Sequence, residues 1–261
     1  MTVSVLSDNN PGTNTAAEHG LSYLLEHDGK KILFDTGQSG LFMTNAGIMR
    51  ADLKNIDAVI LSHGHYDHGN GLKHLSGTTL ICHPGCFRKR YNKSRKKNIG
   101  LSSDISELSA SFTLITSAEP YRVSPRIIFL GEIPRNTSFE SKQTSFRLED
   151  GSEDFVMDDS AVALLLEEGL FVITGCGHAG IVNTLEHAKD ISGEKNISGI
   201  MGGFHLKHDD HKTRQTIKYL ADNNVKHVKP SHCTALPALA AFYSAFGIKT
   251  VKTGDIYKFG E

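Results

Sequence analysis

Apolar positions along the chain come in short runs separated by clusters of turn-forming residues, which predicts strands more often than helices. The runs Val3 to Leu6, Glu18 to Glu26 and Lys31 to Phe34 open the chain, with His27-Asp28-Gly29-Lys30 as a hairpin turn between the second and third. Asp57 to Leu61, Thr78 to His83, Phe112 to Ile115, Ile127 to Leu130 and Phe146 to Leu148 continue the pattern. Ser160 to Leu166 and Leu170 to Thr174 read as a second hairpin, and Ile197 to Met201 and Val225 to Val228 as further strands. Helical spacing is confined to Leu41 to Met49, Gly71 to Leu75, Ile181 to Lys189 and Lys212 to Asn223. With neither a Pro-, Gly- or Ser-rich linker nor an internal repeat, residues 1–261 are expected to form a single domain.

The chemistry concentrates where one of these strands ends. Leu61-Ser62-His63-Gly64-His65-Tyr66-Asp67-His68-Gly69 places four metal-capable side chains within six residues on a turn leaving a buried strand. His63 and His65 can face one cation, and Asp67 and His68 a second beside it, since neutral imidazole and carboxylate are both good ligands for Zn²⁺ or Fe²⁺. The pattern of strand, small residues, then His recurs at Gly175-Cys176-Gly177-His178 and at Pro230-Ser231-His232, so His178 and His232 are the further ligand candidates. His205, after Gly202-Gly203-Phe204, reads as a metal contact, a proton donor or substrate contact, or a loop packing residue. Asp35, at the tip of Leu33-Phe34-Asp35-Thr36-Gly37, is either a turn cap or a partner that orients a ligating imidazole through its other nitrogen.

Composition narrows the remaining possibilities. A net charge of −1 and pI near 6.9 give no global field for nucleic acid or an anionic membrane, so a small-molecule substrate is the expected partner. The segment Met1 to Asn10 lacks a basic region followed by an apolar core, which predicts a cytoplasmic protein, and Cys82, Cys86, Cys176 and Cys233 are then expected as free thiols. One local exception to neutrality is Arg88 to Lys97, with seven basic residues in ten. It reads either as a solvated face or as a mobile lid whose cations meet an anionic substrate.

Taken in order, Glu18-His19-Gly20-Leu21-Ser22, the Asp35 turn, the His63 to His68 cluster, Gly131-Glu132-Ile133-Pro134-Arg135, the His178 turn, Gly202-Gly203-Phe204-His205 and Pro230-Ser231-His232-Cys233-Thr234 resemble a branch of the metallo-β-lactamase superfamily. Its named members are dihydropterin-ribofuranosylaminobenzene-phosphate synthases, and other relatives are named metal-dependent hydrolases. The resemblance implies an α/β, four-layer αβ/βα sandwich of two mixed sheets with helices outside. It also implies one or two divalent ions, Zn first, with Fe, Mn or Mg as alternatives. In much of the superfamily a strand-terminal Asp bridges two metals and a His precedes it. Here Gly175-Cys176 and Met157-Asp158-Asp159 stand at those places, so His178 would replace the missing His, with Asp159 or Cys176 as the remaining ligand.

The function this implies is hydrolysis of a small anionic, phosphate-bearing substrate. Asp67 is expected to hold a cation and to orient the attacking water, whose pKa such a cation lowers from ~15.7 to about 7. Two alternatives are a pterin-condensing transferase, with Phe204, Tyr66 and Phe139 building an aromatic pocket, and a metal-bearing binding protein without turnover.

Overall fold

Asp28 and Gly29 take φ of 52° and 70°, the mirror-image turn whose twist matches that of the strands it joins. It links β2 (Ser22–His27) to β3 (Lys30–Phe34) in a computed structural model that describes residues 1–94 and 97–260. These strands sit within a seven-stranded sheet that also contains β1 (Thr2–Ser7), β4 (Ala58–Ile60), β5 (Thr79–Cys82), β7 (Thr113–Thr116) and β16 (Ile256–Lys258). The order is β16-β1-β2-β3-β4-β5-β7, antiparallel up to β3 and parallel beyond it. A six-stranded sheet holds β8 (Tyr121–Ser124), β9 (Ile127–Phe129), β12 (Ala161–Leu166), β13 (Gly169–Thr174), β14 (Ile197–Gly203) and β15 (His227–Ser231). Its order is β15-β14-β13-β12-β9-β8, with β13, β14 and β15 parallel. A small ribbon joins β6 (Arg90–Asn92), β10 (Phe146–Leu148) and β11 (Glu153–Asp154).

Period-two alternation assigns each face. Val3, Val5, Tyr23, Leu25, Ile32 and Phe34 pack between the sheets against Val162, Leu164, Phe171 and Ile173. Their neighbours Leu24, Leu33, Val59 and Leu80 turn outward onto α1 (Leu41–Met49) and α3 (Ile105–Ser111). On the far side, Ala161, Ala163, Leu170 and Val172 meet α4 (Ile181–Ser192), α5 (His211–Asp222) and α6 (Leu236–Phe246). Helix, sheet, sheet, helix is the four-layer sandwich expected. Covering both faces of each sheet is why the central strands are almost continuously apolar. Each fully buried Leu, Ile or Phe contributes about 1.5–3 kcal/mol, so a one-residue slip of a central strand would cost several such terms at once.

The structure departs from the sequence reading in places. Glu18 to Leu21 lies outside the strand, which begins at Ser22, and the strand expected at Val225 runs instead from His227 to Ser231. The sequence pattern does not predict strands β6, β8, β11 and β16, helices α3 and α6, or the short helix over Tyr66–Gly69. The largest difference is the basic segment. Arg90, far from being solvated, is fully buried, with Nη2 2.7 Å from Asp158 Oδ1 and Nε 3.5 Å from Asp154 Oδ2. Lys89 pairs with Glu149 and Lys93 with Glu153, while Arg95 and Lys96 lie outside the described residues. Among the described residues, no helix is long and apolar enough to cross a membrane.

Candidate metal centre

The carboxyl ends of parallel strands from both sheets meet at one edge, the usual site of function in such layered folds. Asp35 follows β3, His63 and His65 follow β4, and α2 (Tyr66–Gly69) carries Asp67 and His68. From the second sheet, Cys176 and His178 follow β13, His205 follows β14 and His232 follows β15. Asp35, His205 and His232 take φ of 56°, 47° and 49°, a left-handed conformation that only surrounding structure holds in place for non-glycine residues. Glycine makes the convergence possible at two points. A Cβ on Gly64 would lie 1.9 Å from the Cys86 carbonyl oxygen, and one on Gly175 2.0 Å from Ser62 Oγ.

The hydrogen bonds behind the histidines fix which nitrogen faces inward. Asp35 accepts from Ser62 N–H at 2.7 Å and Ser62 Oγ at 2.7 Å, and its Oδ2 lies 2.6 Å from His68 Nδ1. His68 therefore carries its hydrogen on Nδ1 and presents a lone pair at Nε2. With its own hydrogen spent on Asp35, Ser62 Oγ accepts from His63 Nδ1 at 2.9 Å, which leaves His63 Nε2 as a lone pair 2.9 Å from His65 Nδ1. His232 Nε2 lies 3.1 Å from His68 Nε2 and 3.5 Å from Asp67 Oδ2.

Ligand atoms of His63, His65 and His178 lie within 4.8 Å of one another, as do those of His63, His68 and Cys176. His65 Nε2 and His178 Nε2 are buried without a hydrogen-bond partner. Acceptors facing acceptors, orphaned buried nitrogens, and a donor set of imidazole, carboxylate and thiol fit divalent cations.

Electrostatics agree with that fit. Burial, reinforced by neighbouring imidazoles, holds His63 and His178 well below the usual histidine range. Burial together with the Arg90 charge brings His65 to about 3. All three are thus neutral, the form that ligates metal. Burial would raise Asp67, but His68 and the hydrogen bond from His19 overcome it and hold the carboxyl well below its ordinary value. His68 is itself raised, because Asp35 and Asp67 outweigh burial. A proton on His68 is thus the alternative to a cation at this point.

All six residues read as ligands from the sequence (His63, His65, Asp67, His68, His178 and His232) converge here. Between the two candidates for the remaining position, Cys176 faces the cluster with Sγ 3.2 Å from His68 Nε2. Asp159 stands behind His63, its Oδ1 4.0 Å from Nδ1 and its Oδ2 accepting from Ala179 N–H at 2.8 Å. His205 sits beside His178 with ring centroids 4.3 Å apart, and it groups with Cys176 and Cys233. Asp158 accepts from Gly64 N–H at 2.8 Å, tying the His-x-His turn to buried Arg90.

Four participants escaped the sequence reading. His19 Nε2 is 3.0 Å from Asp67 Oδ2, Asn9 touches His19 and His232, Cys233 flanks Cys176, and Phe146 packs on His65 and His178. His19 and Cys233 left a sequence signal, in the Glu18-His19-Gly20 and Pro230-Ser231-His232-Cys233-Thr234 elements of the resemblance, whereas Asn9 and Phe146 left none.

A cavity of about 350 Å³ opens over the centre, bordered by His19, Tyr66, Asp67, Lys97, Phe146 and Lys207. Lys97 Nζ lies 5.2 Å from the centre of the Tyr66 ring, and Lys207 Nζ donates to the Cys233 carbonyl at 2.9 Å. A second cavity of about 330 Å³ lies past Phe146 and is bordered by Phe139, Lys142, Phe204 and Lys212. Phe146, His178 and His205 border both. The three aromatics expected in one pocket are therefore divided, and Phe204 is largely core, packed on Phe242 with centroids 5.5 Å apart.

A four-layer sandwich with a His-x-His-x-Asp-His turn at its edge and facing histidines from the opposite sheet defines a protein of the metallo-β-lactamase fold. The profile of the metallo-β-lactamase superfamily matches residues 16–97. An uncharacterized protein of Methanocaldococcus jannaschii is 34% identical over 246 residues, covering 91% of this chain and 92% of that protein. The 7,8-dihydropterin-6-methyl-4-(β-D-ribofuranosyl)-aminobenzene-5′-phosphate synthase of the same organism is 32% identical, covering 98% and 96%. A crystal structure of a metal-dependent hydrolase of the β-lactamase superfamily matches over the whole of both chains, with a TM-score of 0.89 at 30% identity. The chain belongs to the metallo-β-lactamase superfamily, in the branch that holds these relatives.

Proposed function

We propose that this protein is a metal-dependent hydrolase of a small anionic substrate, with two divalent ions, zinc first, held by His63, His65 and His178 and by Asp67, His68, His232 and Cys176. The observation that supports this most is the meeting of lone pairs at His68, His232 and Asp67 beneath a cavity flanked by two lysines. When bound, such ions supply Lewis acidity and a water that ionises near neutral pH. Asp67, steadied by His19, accepts a hydrogen bond from the attacking water and so aims it at the substrate. Lys97 and Lys207 bind the anionic group, where ammonium groups neutralise phosphate or carboxylate charge. His205, bordering both cavities, delivers a proton to the leaving group. We read residues 1–261 as a single cytoplasmic domain with a small molecule as its partner, a setting that suits four free thiols.

A pterin-condensing transferase is the second reading. It is supported by the 32% identity to a protein named as such a synthase and by the second cavity, where another reactant could lie across Phe146. Metal analysis joined to a phosphoesterase and lactonase panel separates the two. Bound metal with hydrolysis of a phosphate ester supports the first reading. Bound metal with no hydrolysis, but with condensation of a dihydropterin and an aminobenzene ribotide, replaces it with the second. A protein that retains no divalent ion overturns both.

A further inference from the structure

Asn9, in the turn after β1, touches two histidines of the centre at once. Two bonds fix the orientation of its side-chain amide without reference to any imidazole hydrogen. Gly20 N–H donates to Asn9 Oδ1 at 3.3 Å, and Asn9 Nδ2 donates to the His232 carbonyl at 3.0 Å. With the amide set in this way, Oδ1 can only accept from His232 Nδ1, 3.0 Å away. His232 must then carry its hydrogen on Nδ1 and offer a lone pair at Nε2 toward His68 and Asp67. The other Nδ2 hydrogen points at His19 Nδ1, 3.3 Å away, so that nitrogen accepts. His19 therefore carries its hydrogen on Nε2, 3.0 Å from Asp67 Oδ2.

We infer that Asn9 sets opposite hydrogen placements on His19 and His232, making His232 an electron-pair donor to a cation and His19 an N–H donor that positions the Asp67 carboxylate. His19 lies as close to Asp67 and His232 as a ligand would, with its ring 5.2 Å from that of His232 and tilted 27° to it. Distance alone would count it among the ligands. The amide makes it a positioning residue at the border of the cavity, its single N–H committed to Asp67. This inference deepens the metal reading above and rests on it only for the role of His232.

Long-range proton–nitrogen correlation spectra, recorded above the imidazole titration range on metal-free and zinc-loaded protein, test the placements directly. The expected result is His19 protonated on Nε2 and His232 on Nδ1 in both states. In Asn9→Asp, whose carboxylate accepts from both rings, His19 should switch to Nδ1–H while His232 keeps its form. Zinc affinity, measured by competition with a chelator, should fall about ten-fold in His19→Ala, the cost typical of a lost supporting residue. His19→Gln, whose amide can still donate to Asp67, should restore most of it. A His19 hydrogen on Nδ1 in the unaltered protein, or a His19→Gln variant as weak as His19→Ala, would overturn the inference. The metal-free spectra decide the placements even if zinc proves not to bind, so failure here is distinguishable from failure of the metal reading.

Discussion

His63, His65 and His178 gather as neutral imidazoles backed by Ser62 and a carboxyl, Asp159, that burial pushes up to about 7. Asp67, His68 and His232 gather around negative charge, with Asp35 behind His68 and Cys176 beside it. The two groups lie side by side, yet only the second must find a positive charge of some kind, a cation or a proton on His68. On the two-ion reading proposed above, the contrast implies sites of unequal strength, with the carboxylates rather than the imidazoles setting the order in which they fill.

Substitution of His232 by Ala should have the largest effect. The tighter metal equivalent should weaken by more than the ~100-fold upper range typical of a lost supporting residue. His63→Ala should chiefly remove the weaker equivalent, so a calorimetric titration showing equal loss from both variants would break the contrast.

Next in size is the pH dependence of stability in metal-free protein. Asp159 has a folded-state pKa of about 7 against 3.8 ordinarily, so the folded chain holds a proton that the unfolded chain releases. Stability contributed by this group is fully present below pH 3.8 and is lost as the pH rises toward about 7, by a few kcal/mol at about 1.4 kcal/mol per unit. Asp159→Asn should flatten that part of the curve in denaturant unfolding, whereas an unchanged slope would mean that the imidazole group is not backed by a neutral acid.

The smallest effect concerns the cavity wall. Lys97→Ala and Lys207→Ala should each raise KM for an anionic ester about three- to ten-fold, on the order of 1 kcal/mol, with little change in kcat. A fall in kcat with KM unchanged would move these lysines from substrate binding to the reaction itself.

The candidate metal motif was legible because four metal-capable side chains crowd into one turn behind an apolar strand, and His178 and His232 because each follows strand and small residues in the same way. The sandwich followed from runs of apolar residues long enough for strands and from the resemblance. Asn9 and His19 were not legible as a pair with His232, since their contacts join the first loop to the end of the fifteenth strand. Arg90 misled because a run of cations reads as surface until Asp154 and Asp158 are seen to close over one of them. Which of Cys176 and Asp159 faces the cluster depends on the side of His63 each occupies, and local sequence does not carry that information.

β6 belongs to the basic segment and β10 to the aromatic wall, and the two are hydrogen-bonded neighbours, with Phe146 opposite Asn92 and Leu148 opposite Arg90. The ribbon is pinned at one end by the buried guanidinium and presents Phe146 at the other, like a hinge leaf with its screw inside the protein. Because Phe146 borders both chambers, the position of that leaf sets where the partition between them stands. The wall between the two chambers is thus tied to an arginine that lines neither of them.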